Sequence, residues 1–288
     1  MGFVIQSTST NNSNNANSIA IPKPSGLAVG NLMVAVLTAN DAATTSVTTL
    51  SGWTSAITQS GNGGASIQFK IADAGDVAAS NFTFAFSRTT VVAGSMLRLS
   101  NNLITGILGG TNAYNASITA TSSPTNTISI TPSSKEALIV VAVVARDNAL
   151  PFAGGNDSVT SYNTVPTLSF TELHDKGANN SKASGAAYAI QAVAAEFTSY
   201  GAVFTSNKDR YLSILAVFNP IVDDSGSNTL ATTNSPTFAQ AGVADTIGGT
   251  TILATTSTTQ FIQSGKVEDI FTWTPEVKTA TTWTPEIK

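Results

Sequence analysis

A chain of 288 residues has room for one large or two ordinary domains, yet only 10 % of it is charged, against roughly 25 % in ordinary globular proteins. The net charge of −4 and a pI near 4.9 leave no basic footprint for DNA or RNA. The absence of cysteine removes disulfides and thiolate metal sites. Ser, Thr, Asn, Ala and Gly stand in for the missing charges, which gives a polar, uncharged surface compatible with assembly.

The first residues, Met1 to Ser7, carry neither a basic region nor a long apolar run, so no signal peptide is expected. Gly2 followed by Ser7 misses the myristoylation spacing by one residue. Residues 7–18 are almost wholly Ser, Thr and Asn and read as a loop or mobile arm. Ile19 and Ile21 alternate with small neighbours as a strand, which Pro22-Lys-Pro24-Ser-Gly26 ends.

An apolar run, Leu32 to Leu37, follows and closes in Ala39-Asn-Asp41. It is too short to span a bilayer, as is every other run in the chain. Gly61-Asn-Gly-Gly64 is a hairpin turn, since no helix follows to make it a phosphate loop. Two strands with period two come next, one carrying Ile67, Phe69 and Ile71, the other Phe82, Phe84 and Phe86. Ser95 to Asn101 closes the unit. Short strands spaced by turns, without a helical stripe, predict an antiparallel sandwich.

The same order then recurs. Ile128 and Ile130 answer Ile19 and Ile21; Ala137 to Asp147 aligns without gaps on Asn31 to Asp41; Phe170-Thr171 stands in the place of Trp53-Thr54. Ala187 to Ile190 answers the Phe69–Ile71 strand, Phe197 answers Phe82, and Tyr211 to Asn219 answers the closing strand, with Ser95/Ser213, Leu97/Leu215 and Asn101/Asn219 in common. The expected fold is therefore all-β: two tandem, jelly-roll-like antiparallel sandwiches from an internal duplication. The boundaries are 1–110 for the first domain with its arm, 111–222 for the second, and 223–288 for an extended tail, with the inter-domain linker near Gly109-Gly110.

The tail ends in Thr272-Trp-Thr-Pro-Glu-Val-Lys278 and Thr282-Trp-Thr-Pro-Glu-Ile-Lys288. A helix would place the two Trp about 80° apart; an extended chain places them on one side, about 33 Å apart, and Pro275 and Pro285 also oppose a helix. Trp273, Pro275, Val277, Trp283, Pro285 and Ile287 then form one apolar side, read as a subunit-docking segment that adds to a neighbour. The plainer alternative is a disordered end.

Candidate chemical sites are sparse. His174 is the sole histidine, so a two-histidine metal site is ruled out; with Glu172 and Asp175 nearby a hard-cation site is conceivable, but a solvated loop is the better reading. Asp41 and Asp147 end equivalent strands and read as turn caps. Glu172 and Glu196 are a conceivable carboxylate pair that no motif supports. Trp53 and the Phe82–Phe86 row could be a carbohydrate platform but read better as core. Asn-x-Ser/Thr at Asn11, Asn81, Asn115, Asn156 and Asn179 is no more than this composition yields by chance. No nucleophile elbow, P-loop or dinucleotide fingerprint occurs. No catalytic residue, cofactor or metal ligand is assigned, and an enzyme is not expected.

Ile19-Ala-Ile-Pro-Lys-Pro-Ser-Gly-Leu-Ala-Val-Gly-Asn-Leu-Met-Val-Ala35, then Gly52-Trp53-Thr54, then Phe69-Lys-Ile-Ala-Asp73, then Phe82-Thr-Phe84, resembles a β-sandwich module of tailed-phage and prophage virion structural proteins. The closing Trp-Thr-Pro-Glu repeats are similar to terminal repeats on such proteins. The second domain matches less well, because Trp53 becomes Phe170 and the Lys-x-Ala-Asp segment is lost. The resemblance implies a fibre, tail or capsid-associated (decoration) protein, assembled in the host cytoplasm into the virion. Its partners would be other virion proteins and copies of itself, a trimer being one candidate, with a host glycan as candidate ligand. It implies no nucleic-acid or membrane partner and carries no catalytic residues. A bacterial surface adhesin or carbohydrate-binding module is the alternative.

Overall fold

The structure is a computed structural model that describes residues 3–99, 104–115, 121–146, 158–178, 182–208 and 210–220, all within one compact unit, Met1–Thr229. Its strands are β1 (Ile5–Pro22), β2 (Leu32–Thr44), β3 (Thr54–Ile71), β4 (Asn81–Leu99), β5 (Ile104–Asn115), β6 (Thr125–Ile130), β7 (Ala137–Arg146), β8 (Val159–Val165), β9 (Thr171–Ala178), β10 (Lys182–Gln191), β11 (Phe197–Phe204) and β12 (Arg210–Pro220). Among the described residues one short helix, α1 (Ala74–Ala78), interrupts them. The protein is all-β and sandwich-like, as the strand periodicity predicts.

Among the described residues three sheets form, in the orders β1-β4-β2-β3, β5-β12-β7-β10-β9 and β6-β11-β8. The β1–β4 pair is a long ribbon with bulges between Ser13 and Ser18, where bulging bends a strand. The first half of β4 alternates exposed and buried residues, while its second half is buried almost without interruption. The alternating part, with Ile19 and Ile21 of β1 opposite Phe84 and Phe82, curls over the first sheet as an outer layer. The continuous part stays within that sheet, beside β2.

The layers stack in the order ribbon, first sheet, second sheet, third sheet, with a core in each gap. The ribbon's Ile21, Phe82, Phe84 and Phe86 meet Met33, Ala35 and Leu37 of β2, with Trp53 alongside. At the far end, Phe197, Tyr200 and Phe204 of β11 meet Ile139, Val141 and Val143 of β7. Between the halves lies a third core: Leu32, Val34 and Val36 of β2 and Leu97 and Leu99 of β4 against Leu138, Val140 and Val144 of β7 and Leu212, Ile214 and Phe218 of β12. Phe69 meets Phe218 edge-on across this seam at 5.8 Å.

The apolar runs are continuous because β2 and β7 are central strands covered on both faces, where an alternating pattern has no solvent side to mark. Their even-numbered apolar residues face the seam and their odd-numbered ones face an inner core. Corresponding positions of the two runs, Leu32 and Leu138, Met33 and Ile139, Val34 and Val140, thus face corresponding layers. The neighbours correspond as well: β4-β2-β3 in one sheet and β12-β7-β10 in the other, Ile21 opposite Phe82 and Ile130 opposite Phe197.

The shared Ser95/Ser213 and Leu97/Leu215 identities do not survive in register. Val34 pairs with Leu97 but Val140 with Ala216, so the structural counterpart of Ser95 is Ile214. A one-residue slip reverses every side chain, and Leu97 accordingly faces the seam while Leu215 faces an inner core.

Two further expectations change. Residues 7–18 are not a mobile arm: they form most of edge strand β1, where Ser9 Oγ and Asn11 Nδ2 donate to the Pro22 and Ala20 carbonyls at 2.6 and 2.8 Å. Composition suggested a loop because an edge strand shows one side to water and its backbone partner lies some eighty positions away. Gly109 and Gly110, expected as a linker, lie inside β5. Residues 221–288, which carry the expected tail, lie outside the described residues.

Candidate functional site

The resemblance motif resolves into structural parts. Gly26, at φ +67°, turns the chain beneath Arg98, whose Nη1 would lie 2.5 Å from a Cβ at that position. Arg98 donates to the Ser25 carbonyl at 2.7 Å and to Asn31 Oδ1 at 2.9 Å. Asp73 caps α1, with reciprocal bonds between Asp73 and Asp76 at 2.9 and 3.0 Å. Lys70 joins both carboxylates, at 2.9 and 2.8 Å, and this cation holds the Asp73 carboxyl below its ordinary pKa. Trp53 lies edge-on to Phe82 and Phe84 at 5.6 and 5.4 Å. It is 7 % exposed, so this aromatic row is core and not a sugar platform.

Two further places among the described residues gather polar groups. The first is the seam. Asn40 of β2, fully buried, donates from Nδ2 to the Ala145 and Ala183 carbonyls at 3.2 and 3.0 Å. His174 is in no solvated loop: it lies on β9, 6 % exposed, with Nδ1 2.8 Å from Ser95 Oγ and Nε2 3.1 Å from Thr38 Oγ1. A register shift between Ala186 and Ala187, opposite His174 and Glu172, lets Leu173 and His174 both turn to the seam. Burial without a carboxylate partner pushes the imidazole down to about 3, so the ring is neutral.

The second place is a notch of about 200 Å³ lined by Thr160, Ser161, Tyr162, Phe170 and Glu172. It opens where edge strands β8 and β9 approach. The Tyr162 and Phe170 rings, 5.9 Å apart and tilted by 38°, make its apolar wall. The Tyr162 hydroxyl turns inward over Gly185, where a Cβ would lie 2.4 Å from it. On this side of β9, Asp175 Oδ1 accepts from the Val159 amide at 3.2 Å. Burial, with a smaller contribution from Glu172, pushes the Asp175 carboxyl up to about 6 against that hydrogen bond. The notch is smaller than an ordinary small-molecule pocket and offers a ring face beside one carboxylate acceptor.

The other candidates separate. Asp41 lies within β2, and its Oδ2 accepts from Arg88 Nε at 3.0 Å and from Thr45 Oγ1 at 3.4 Å, so it pins neighbouring chain and does not end the strand. Glu172 borders β8, whereas Glu196 accepts from Ser129 of β6 at 2.5 Å, at the opposite edge of the third sheet; the two do not form a pair. Among the described residues, no group of three or more His, Asp or Glu side chains could hold a metal ion. Asp147 and the docking residues Trp273, Pro275, Val277, Trp283, Pro285 and Ile287 lie outside the described residues.

Sequence reasoning missed Thr38, Asn40 and Ser95 as seam residues. The available signal was a mismatch between the two aligned apolar runs: Thr38 stands where the second run has Val144, and Asn40 where it has Arg146. Comparison with protein-family models, with curated proteins and with solved structures gives no match to this chain.

Proposed function

We propose that this chain is a virion structural protein of the tailed-phage type, built from a duplicated jelly-roll-like sandwich and acting by non-covalent assembly. The observation that carries the reading is the placement of the resemblance motif: Gly26, Trp53, Lys70, Asp73, Phe82 and Phe84 are the residues that turn, cap and fill the first half. A motif of that kind transmits a fold and a setting, not a reaction. The corresponding strand orders of the two halves support the duplication, and the low charge of the chain suits homo-oligomers and contacts with other virion proteins. The Trp-Pro tail serves as the docking segment.

Mass spectrometry of purified particles tests the setting, and absence of the chain from particles overturns it. Deleting residues 266–288 tests the tail: the truncated chain is expected to lose incorporation or oligomerisation, and normal assembly refutes the docking role. The notch favours a second reading, a carbohydrate-binding module, because a ring face next to a carboxylate suits one sugar unit. A glycan array with wild type and Phe170→Ala decides this: binding lost in the variant supports it, and no hit on any glycan removes it.

A further inference from the structure

β9 is an edge strand that pairs with β10 alone in its sheet, and its two faces carry opposite kinds of titratable anchor. Toward the seam, His174 meets Ser95 of β4 and Thr38 of β2; Thr10 of β1 lies behind Ser95 Oγ at 3.2 Å, and Ala186 of β10 stands opposite. These partners can accept from an imidazolium, but none carries a charge to balance it. Toward β8, Asp175 meets the Val159 amide, the Tyr162 hydroxyl side and, on its own strand, Glu172. Here the neighbouring charge, Glu172 of the same strand, has the same sign as the carboxylate.

We propose that β9 is a pH-compensated latch, in which protonation of His174 undocks the strand from the first half while protonation of Asp175 docks it more firmly against β8. Acid charges the imidazole where no counter-charge waits, and in the same range it discharges a carboxylate that burial and Glu172 disfavour. The two effects oppose each other, so docking varies less with pH than His174 alone dictates. The seam holds too many large apolar side chains to separate on one proton, whereas an edge strand opens locally.

Amide exchange in residues 171–178 of the full chain, corrected for intrinsic rate, measures the opening. With folded values of about 3 for His174 and about 6 for Asp175, linkage gives the size of each arm. In Asp175→Asn, opening is expected to rise ~300-fold from pH 8 to pH 4. In His174→Gln, whose amide can still reach Ser95 and Thr38, it is expected to fall by ~10- to 60-fold, the range allowing for the half of Asp175 left in water. Wild type lies between. A flat response in either variant, or the same sign in both, overturns the proposal. A direct readout needs no variant: the His174 ring signals in wild type stay those of a neutral imidazole down to about pH 4. Titration near the ordinary histidine value with β9 still protected overturns the latch as well.

Discussion

At the scale of the residue, burial decides which polar groups matter. His174 has a folded pKa of about 3, below the unfolded value near 6.5, so its neutral form favours the folded state. That contribution is complete above pH 6.5 and is lost as pH falls toward 3, on the order of 3 kcal/mol by pH 4. Asp175, raised to about 6, runs the other way: its contribution is complete below about pH 3.8 and is lost as pH rises through 6. Asp175→Asn keeps an acceptor for the Val159 amide and is expected to stabilise the protein by ~1–2 kcal/mol at pH 8, after allowance for its half exposure, and by little at pH 4. Urea unfolding at the two pH values checks this. Asn40→Ala removes both donors to the Ala145 and Ala183 carbonyls and is expected to cost about 2–3 kcal/mol, measured the same way.

At the scale of the element, coverage explains the strand sequences. The alternating Phe82–Phe86 segment and the continuous segment that follows belong to one strand, β4, and their patterns differ because the ribbon is covered on one face and the sheet on two. The turn at Gly61–Gly64 was legible as a turn: Thr58 Oγ1 lies 2.7 Å from Ser66 Oγ, which eight extended residues cannot allow. Its fit against the second half was not legible. Gly63, at φ +106°, would place a Cβ 2.6 Å from the Ala39 carbonyl and 2.9 Å from Val144 Cγ1. Gly63→Ala is therefore expected to destabilise by more than 1 kcal/mol, and thermal unfolding measures the loss.

At the scale of the whole molecule, the seam packs the halves against one shared core, which predicts that they unfold together. Thirteen large side chains of the described residues, among them Leu32, Val34, Leu138, Val140 and Phe218, are buried there; at about 1.5–3 kcal/mol each, the gross gain is on the order of 20–40 kcal/mol. Exchange of β4 and β11 amides in urea is expected to follow a single transition. Leu138→Ala is expected to lower both together by about 2–5 kcal/mol. Two separated transitions would show that each half stands on its own core.

Periodicity and order along the chain were enough to identify an all-β protein, the two apolar runs as core strands, the core role of Trp53 and the Phe row, and the turn glycines. These are local properties, written in spacing and residue type. Which face of Leu32 or Leu138 meets which layer, the one-residue offset that separates Ser95 from Ser213, the strand hidden in the Ser-Thr-Asn stretch of β1, and the burial of His174 came only with the tertiary structure. The physical reason is common to all four. A strand buried on both faces has no solvent side to mark its register, and an edge strand or a buried imidazole is defined by partners far away in sequence.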